Sequence, residues 1–156
     1  MKKTVLLHRG RKNEENFQIV SVNGRSWKIM KGVQVQVPDY VAEVLENSRM
    51  MAETARYIGQ SGADGVKLHL LHVLRNTDLA AEWQAGRVQT LELEEYISIL
   101  ELCLRNLPPE AVIHRLTGDG AKRDLLAPLW SGDKKRVLNA IHQAFLRDDL
   151  IQGSTL

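Results

Sequence analysis

Two nearly continuous apolar runs constrain this chain more than any other feature. "VKLHLLHVL" (Val66–Leu74) and "AVIHRLTG" (Ala111–Gly118) are each followed by a helical pattern. A strand with one wet face alternates, whereas a run without alternation is expected where both faces are covered, as in a parallel sheet. Between the runs, "TDLAAEWQAG" (Thr77–Gly86) reads as a short helix with Thr77 as its cap. "TLELEEYISILELCLRNL" (Thr90–Leu107) reads as an amphipathic helix. Its stripe is Leu93, Tyr96, Ile97, Leu100, Cys103, Leu104 and Leu107, and Pro108–Pro109 end it. After the second run, "LLAPLW" (Leu125–Trp130) reads as an apolar loop or turn. "DKKRVLNAIHQAFLRDD" (Asp133–Asp149) reads as a last helix with Val137, Leu138, Ile141 and Phe145 inward. Strand, helix, strand, helix predicts a parallel βαβα unit.

The first 37 residues have a different period. Residues 1–16 are polar and charged and read as an irregular arm. "FQIVSV" and "RSWKIM" flank Asn23–Gly24, the favoured pair for a tight hairpin turn because both positions need positive φ. "VQVQV" (Val33–Val37) places valines on one face and glutamines on the other. These segments predict a small antiparallel meander. Pro38 suits the first turn of a helix. Val41, Val44, Leu45, Met51, Ala52, Ala55 and Ile58 then keep helical spacing until "GQSGADG". The expected fold is α/β, α+β overall. A meander and the start of a linking helix fill 1–48, and a parallel βαβα segment fills 49–156.

Composition narrows the function. Hydrophobic residues are 44% and charged residues 26%, enough for both a core and solubility. A net charge of +2 gives no electrostatic case for nucleic acid or a membrane surface. No apolar run approaches the roughly 20 residues of a membrane span. The N-terminal apolar stretch, Val5–Leu7, is too short for a secretory core, so a cytoplasmic location is expected. The single cysteine, Cys103, excludes an intramolecular disulfide and sits on an apolar stripe, where a thiol serves as a small core residue.

Chemistry-bearing residues gather at the ends of the two runs. His69 and His72 form an HxxH pair, which a continuous strand would send to opposite faces, so no metal site is expected from it. In barrels the functional positions lie at strand C-termini, which favours His72 or Asn76 over His69. A histidine hydrogen-bonded near a strand end is the plain alternative. In "HRLTGDG", Gly118 and Gly120 allow a tight turn or close approach to a ligand. The basic "DKKR" at the last helix reads as a solvated face rather than a phosphate contact.

"ETARYI", "GVKLHLLHVLRNTDLA", "LEEYISIL", "LPPEAVIHRLTGDGAK" and "LLAPLWSGDKKRVLNAIHQ" follow one another at the spacing of a known family. Over about 50–153 the chain resembles the C-terminal part of the YhcC-like radical SAM proteins, with Ala121 standing where that family has proline. The resemblance implies the last two strands and helices of a partial TIM-type barrel. It also implies a [4Fe–4S] cluster, held by a CxxxCxxC loop, that cleaves S-adenosylmethionine. That loop is absent from these 156 residues, so no cofactor and no catalytic residue are expected for this chain. His72, His114, Thr117, Gly118 and Asp119 are the vestigial cofactor-binding positions that the resemblance implies. There Asp119 would orient a ribose or substrate hydroxyl; its plain alternative is a turn cap.

"NEENFQIVSVNGRSWKIMKGVQVQVPDYVAEVLENS" (Asn13–Ser48) resembles small phage or prophage proteins, which would make the chain a chimera joined near Arg49–Arg56. Three readings result: a cluster-free radical SAM relative, a phage-type interaction protein, and one half of a split enzyme. Two parallel strands leave open edges, so either a homo-oligomer or a complementary barrel-completing polypeptide is the expected partner.

Overall fold

The computed structural model describes residues 1–7, 16–22, 25–118 and 120–156. It is a mixed α+β arrangement of small two-stranded sheets and four α-helices among those residues. The chain divides into two compact units, Met1–Met51 and Ala52–Leu156, with the division inside the helix α1 (Asp39–Gln60).

The first unit holds β1 (Lys2–Leu6), β2 (Phe17–Val22), β3 (Arg25–Met30) and β4 (Gln34–Pro38). The β2–β3 hairpin forms as its sequence predicts, with Val20 opposite Trp27. Its Asn23–Gly24 turn lies outside the described residues. Two expectations are corrected. The start of the supposed irregular arm is β1, which pairs antiparallel with β4, Val5 opposite Val35. β4 therefore does not continue a meander from β3. It takes its ladder from the chain terminus, because backbone donors and acceptors need partners whatever the side chains are. Pro38 closes β4 instead of opening the helix, and the Asp39 carboxylate accepts the Tyr40 N–H at 3.0 Å. Val20, Ile29, Val37, Val41, Ala42 and Leu45 form the core of this unit. Trp27 and Tyr40 meet edge to face, centroids 5.6 Å apart.

In the second unit, β5 (Gly65–Lys67) and β7 (Val112–Arg115) pair in parallel, Val66 opposite Ile113. Helices α2 (Asp78–Gln84) and α3 (Leu93–Arg105) lie between them in sequence, so the predicted crossover is present. "VKLHLLHVL" is not one strand. After β5 the chain leaves the ladder over Leu68–His72 and resumes as β6 (Val73–Leu74). β6 pairs antiparallel with β8 (Leu125–Ala127), which lies in the stretch expected to be loop or turn. The run is also not buried on both faces. Leu68 and Leu70 pack toward the helices, whereas Lys67, His69 and Leu71 are exposed.

The α3 stripe behaves as its spacing requires, but two positions of the other helices do not: Met51 of α1 is exposed, and Leu138 of α4 is only half-buried while Ala144 is buried. Leu93, Tyr96, Ile97, Leu100, Cys103 and Leu104 of α3 are all buried. α4 (Lys134–Arg147) meets them with Val137, Ile141 and Ala144. Thr77 caps α2 through Ala80 N–H at 3.2 Å, and Asp133 caps α4 through Arg136 N–H at 3.1 Å. Glu92 and Glu95 close a capping box on α3. The far end of α3 is finished by the C-terminal segment. Gly153 N–H donates to Leu104 O, and Thr155 N–H and Oγ1–H both donate to Arg105 O. Those carbonyls have no partner within the helix itself.

Candidate functional site

The site lies where the chain leaves β7. Tyr96 on α3 donates its phenol to Leu116 O at 3.0 Å and fixes the strand's exit. Burial pushes this phenol's pKa up, so it stays a donor. Thr117 follows, 2% exposed, with its Oγ1 at 3.4 Å from Gly118 O. Gly118 and Gly120 then pass along the His72 imidazole. A methyl group at Gly118 would lie 2.7 Å from His72 Cε1, and one at Gly120 would lie 2.8 Å from its Cδ2. Only glycine at both positions leaves room for that ring.

The sequence-derived positions divide as follows. His72 and Gly118 are brought into contact, with Thr117 next in the chain. His114 stands apart from them: its Nε2 would lie 2.6 Å from a methyl group at Gly65, the first residue of β5. It therefore faces the start of the parallel pair, while His72 is at the loop after β7. Asp119 lies outside the described residues. Asn76 takes a left-handed backbone (φ 61°) before α2, a turn role that asparagine tolerates.

The sequence reading missed His69. The opposite-face argument assumed a continuous strand, and Leu68–His72 is not in one. His69 Nδ1 would lie 3.4 Å from a methyl group at Gly118, beside the 3.3 Å of His72 Nδ1. The HxxH spacing and the two glycines were the available signal.

The residues present do not fit an iron–sulfur cluster. Such a cluster takes cysteine thiolates. Cys103 is 2% exposed in the α3 core, and burial pushes its thiol up to about 11. Among the described residues, no three histidine, cysteine or acidic side chains are grouped to hold a metal ion. Lys134, Lys135 and Arg136 at the start of α4 are exposed, as a solvated face would be. Among the described residues, no helix is long and apolar enough to cross a membrane.

Comparison with known proteins assigns this unit. Residues 63–147 match the radical SAM C-terminal domain. The chain is 35% identical over 109 residues to the uncharacterized protein YtqA of Bacillus subtilis, covering 70% of this chain and 34% of that protein. It is 34% identical over 104 residues to protein YhcC of Escherichia coli K12, covering 67% and 33%. It is 26% identical over 110 residues to the uncharacterized protein MJ0486 of Methanocaldococcus jannaschii. The chain spans about a third of the length of these relatives. The parallel β5–β7 pair, its crossover helices and the glycine-lined exit of β7 all lie within the matched residues, and through them the chain belongs to the radical SAM C-terminal domain family.

Proposed function

We propose that this chain is a radical SAM-family segment that carries the closing elements of a partial barrel and performs no radical chemistry by itself. One observation carries this reading: its only cysteine is Cys103, a buried thiol on a helix stripe. A three-cysteine cluster loop has no counterpart in these 156 residues. Anaerobic reconstitution with iron and sulfide tests it. The expected product is colourless protein, and a stable iron–sulfur absorbance overturns the proposal.

A second reading is favoured by the β5–β7 pair. Val66 and Ile113 of the pair pack against α3 and Phe145 of α4, while Val112 of β7 is 55% exposed. Neither strand has a second neighbour among the described residues. Parallel strands are stable with both faces covered. The segment would then work as part of a larger assembly, either a homo-oligomer or a barrel completed by a second polypeptide carrying the cysteines. The S-adenosylmethionine positions His72, His114, Thr117, Gly118 and Asp119 would act only there. Size-exclusion chromatography with light scattering addresses this. Self-association, or capture by a polypeptide bearing the cysteine loop, is expected. A monomer that melts cooperatively and stays alone overturns it. Met1–Met51 lies outside the residues that match the family model, and a phage-type origin for it stays a proposal that rests on the sequence resemblance of Asn13–Ser48 alone.

A further inference from the structure

We infer that the groove between α3 and α4 docks a second copy of this chain, related to the first by a two-fold axis. Glu94, Ile97 and Ser98 of α3 line it with Ala140, Ala144 and Arg147 of α4, around a volume of about 370 Å³. Ile97 and Ala144 are buried at its floor, whereas Glu94, Ser98 and Arg147 are exposed on its walls. An apolar centre inside a polar rim is the anatomy of a protein interface. A small-molecule site sets a few polar groups inside a deep apolar pocket, and here they are spread along exposed walls.

The two ends of the groove carry opposite charges. α3 and α4 run in the same direction: Leu93 and Ile97 share a core with Val137 and Ile141, and Arg105, the last residue of α3, donates to Asp148 O just past α4 at 2.9 Å. Glu94 stands in the first turn of α3, and Arg147 is the last residue of α4. The carboxylate and the guanidinium therefore mark opposite ends. A two-fold axis through the middle of the groove, perpendicular to the line from Glu94 to Arg147, sets Glu94 of each copy against Arg147 of the other. Such a contact uses the same patch on both copies and closes at two. Arg147 has the donors for it. Its Nε and Nη2 hold the Asp148 carboxylate, which leaves Nη1, on a side chain 72% exposed, to reach across. Leu146 adds apolar surface at the rim. It is 77% exposed and lies one turn past Gln143 on the α4 wall. The face is built from helices alone, so it does not depend on the open edge of the β5–β7 pair.

Size-exclusion chromatography with light scattering on the whole chain, over a range of protein and salt concentrations, tests the contact. A dimer that weakens as salt rises is expected. Glu94→Arg and Arg147→Glu each turn two attractions into two repulsions, and each should weaken the dimer about tenfold or more. Mixed in equal amounts, the two variants should pair again, because the mixed dimer regains both opposite-charge contacts. Ser98→Arg sets a long side chain in the groove from an exposed helix position and should give a monomer with the parent's melting temperature. It keeps the test open should Arg147→Glu, beside Asp148, loosen α4. Glu110→Arg, exposed and outside the groove, should stay dimeric. A chain that is monomeric at every concentration overturns the proposal, as does a mixture that fails to pair. A dimer that survives both Glu94→Arg and Ser98→Arg also overturns it, and leaves the β5–β7 edge as the contact.

Discussion

The phenol of Tyr96 on α3 donates to the carbonyl of Leu116, 3.0 Å away, at the point where β7 ends. The same ring lies against Trp130, centroids 5.7 Å apart, and Trp130 Nε1–H donates to Leu91 O. One aromatic pair thus ties the strand exit, the approach to α3 and the turn before α4. Tyr96→Phe keeps the packing and strands the Leu116 carbonyl. It should cost about 1 kcal/mol, the usual loss for a part-buried hydrogen bond left unmade. Urea denaturation followed by tryptophan fluorescence measures it. A loss within error of zero would mean that water replaces the phenol.

Cys103 gives a prediction that separates core from chemistry. Its thiol is raised to about 11 by burial, so the reactive thiolate is scarce near neutrality. Native protein should resist iodoacetamide, and unfolded protein should be labelled readily. The pH dependence follows from the direction of the shift. Below the ordinary value of 9.0 both folded and unfolded thiols are protonated, and the fold keeps its full stability. As pH climbs from there toward 11, the unfolded chain loses its proton first and gains stability. Melting temperature should fall across that window, and less steeply in Cys103→Ala. Rapid labelling of the native chain at neutral pH would contradict the burial.

Helical spacing carried the fold further than strand composition did. Every position of the α3 stripe is buried, because a 3.6-residue period admits only one face. The strands were harder. "VKLHLLHVL" has the composition of one doubly covered strand, but β5 pairs with β7 and β6 with β8. Where a ladder breaks depends on partners far along the chain, and a run of leucines cannot record that. β1 was missed for the same reason: "KKTVL" has little apolar content, and its strand conformation comes from pairing with β4. At the site, the HxxH and the glycines were visible, but their meeting was not, because it depends on that break. The resemblance set His114 beside His72 as a cofactor-binding position, and the structure places its imidazole against Gly65.

The C-terminal segment should be integral to the second unit. Gln152 Nε2 donates to Pro108 O at 2.6 Å and to Ala111 O at 2.8 Å. Gly153 sits at φ 76°, where a methyl group would lie 2.8 Å from Pro109 Cδ and 3.2 Å from Leu107 O. Gly153→Ala therefore meets both a left-handed backbone and the body of the fold. It should destabilise by at least about 1 kcal/mol. Removing Gln152–Leu156 should cost more, since it takes both Thr155 donors from the Arg105 carbonyl at the end of α3 and the Gln152 bonds to Pro108 O and Ala111 O. Thermal melts of both variants decide this; an unchanged transition in the truncated chain would show the segment to be idle.

Glu101 on α3 gives the second pH prediction. Burial, and then the charge of Asp148, raise its carboxyl above the usual glutamate range, against the pull of Arg105 and Arg147. Its Oε1 is buried without a hydrogen-bond partner among the described residues. Asp148 is shifted the other way, chiefly by the Arg147 guanidinium, which reaches its two oxygens at 2.8 and 2.6 Å. The signs then differ. A raised glutamate leaves stability intact below its ordinary 4.5 and removes it as pH rises through the folded value. A lowered aspartate contributes above its ordinary 3.8, and that contribution fades as pH falls through the folded value. Glu101→Gln should therefore raise the melting temperature at neutral pH and lose that advantage toward pH 4. Asp148→Asn should weaken the fold at neutral pH and converge on the parent in strong acid. Paired melts across this range measure both slopes. If Glu101→Gln were destabilising at neutral pH, its attraction to Arg105 and Arg147 would outweigh burial and Asp148, and the sign assigned to Glu101 would be wrong.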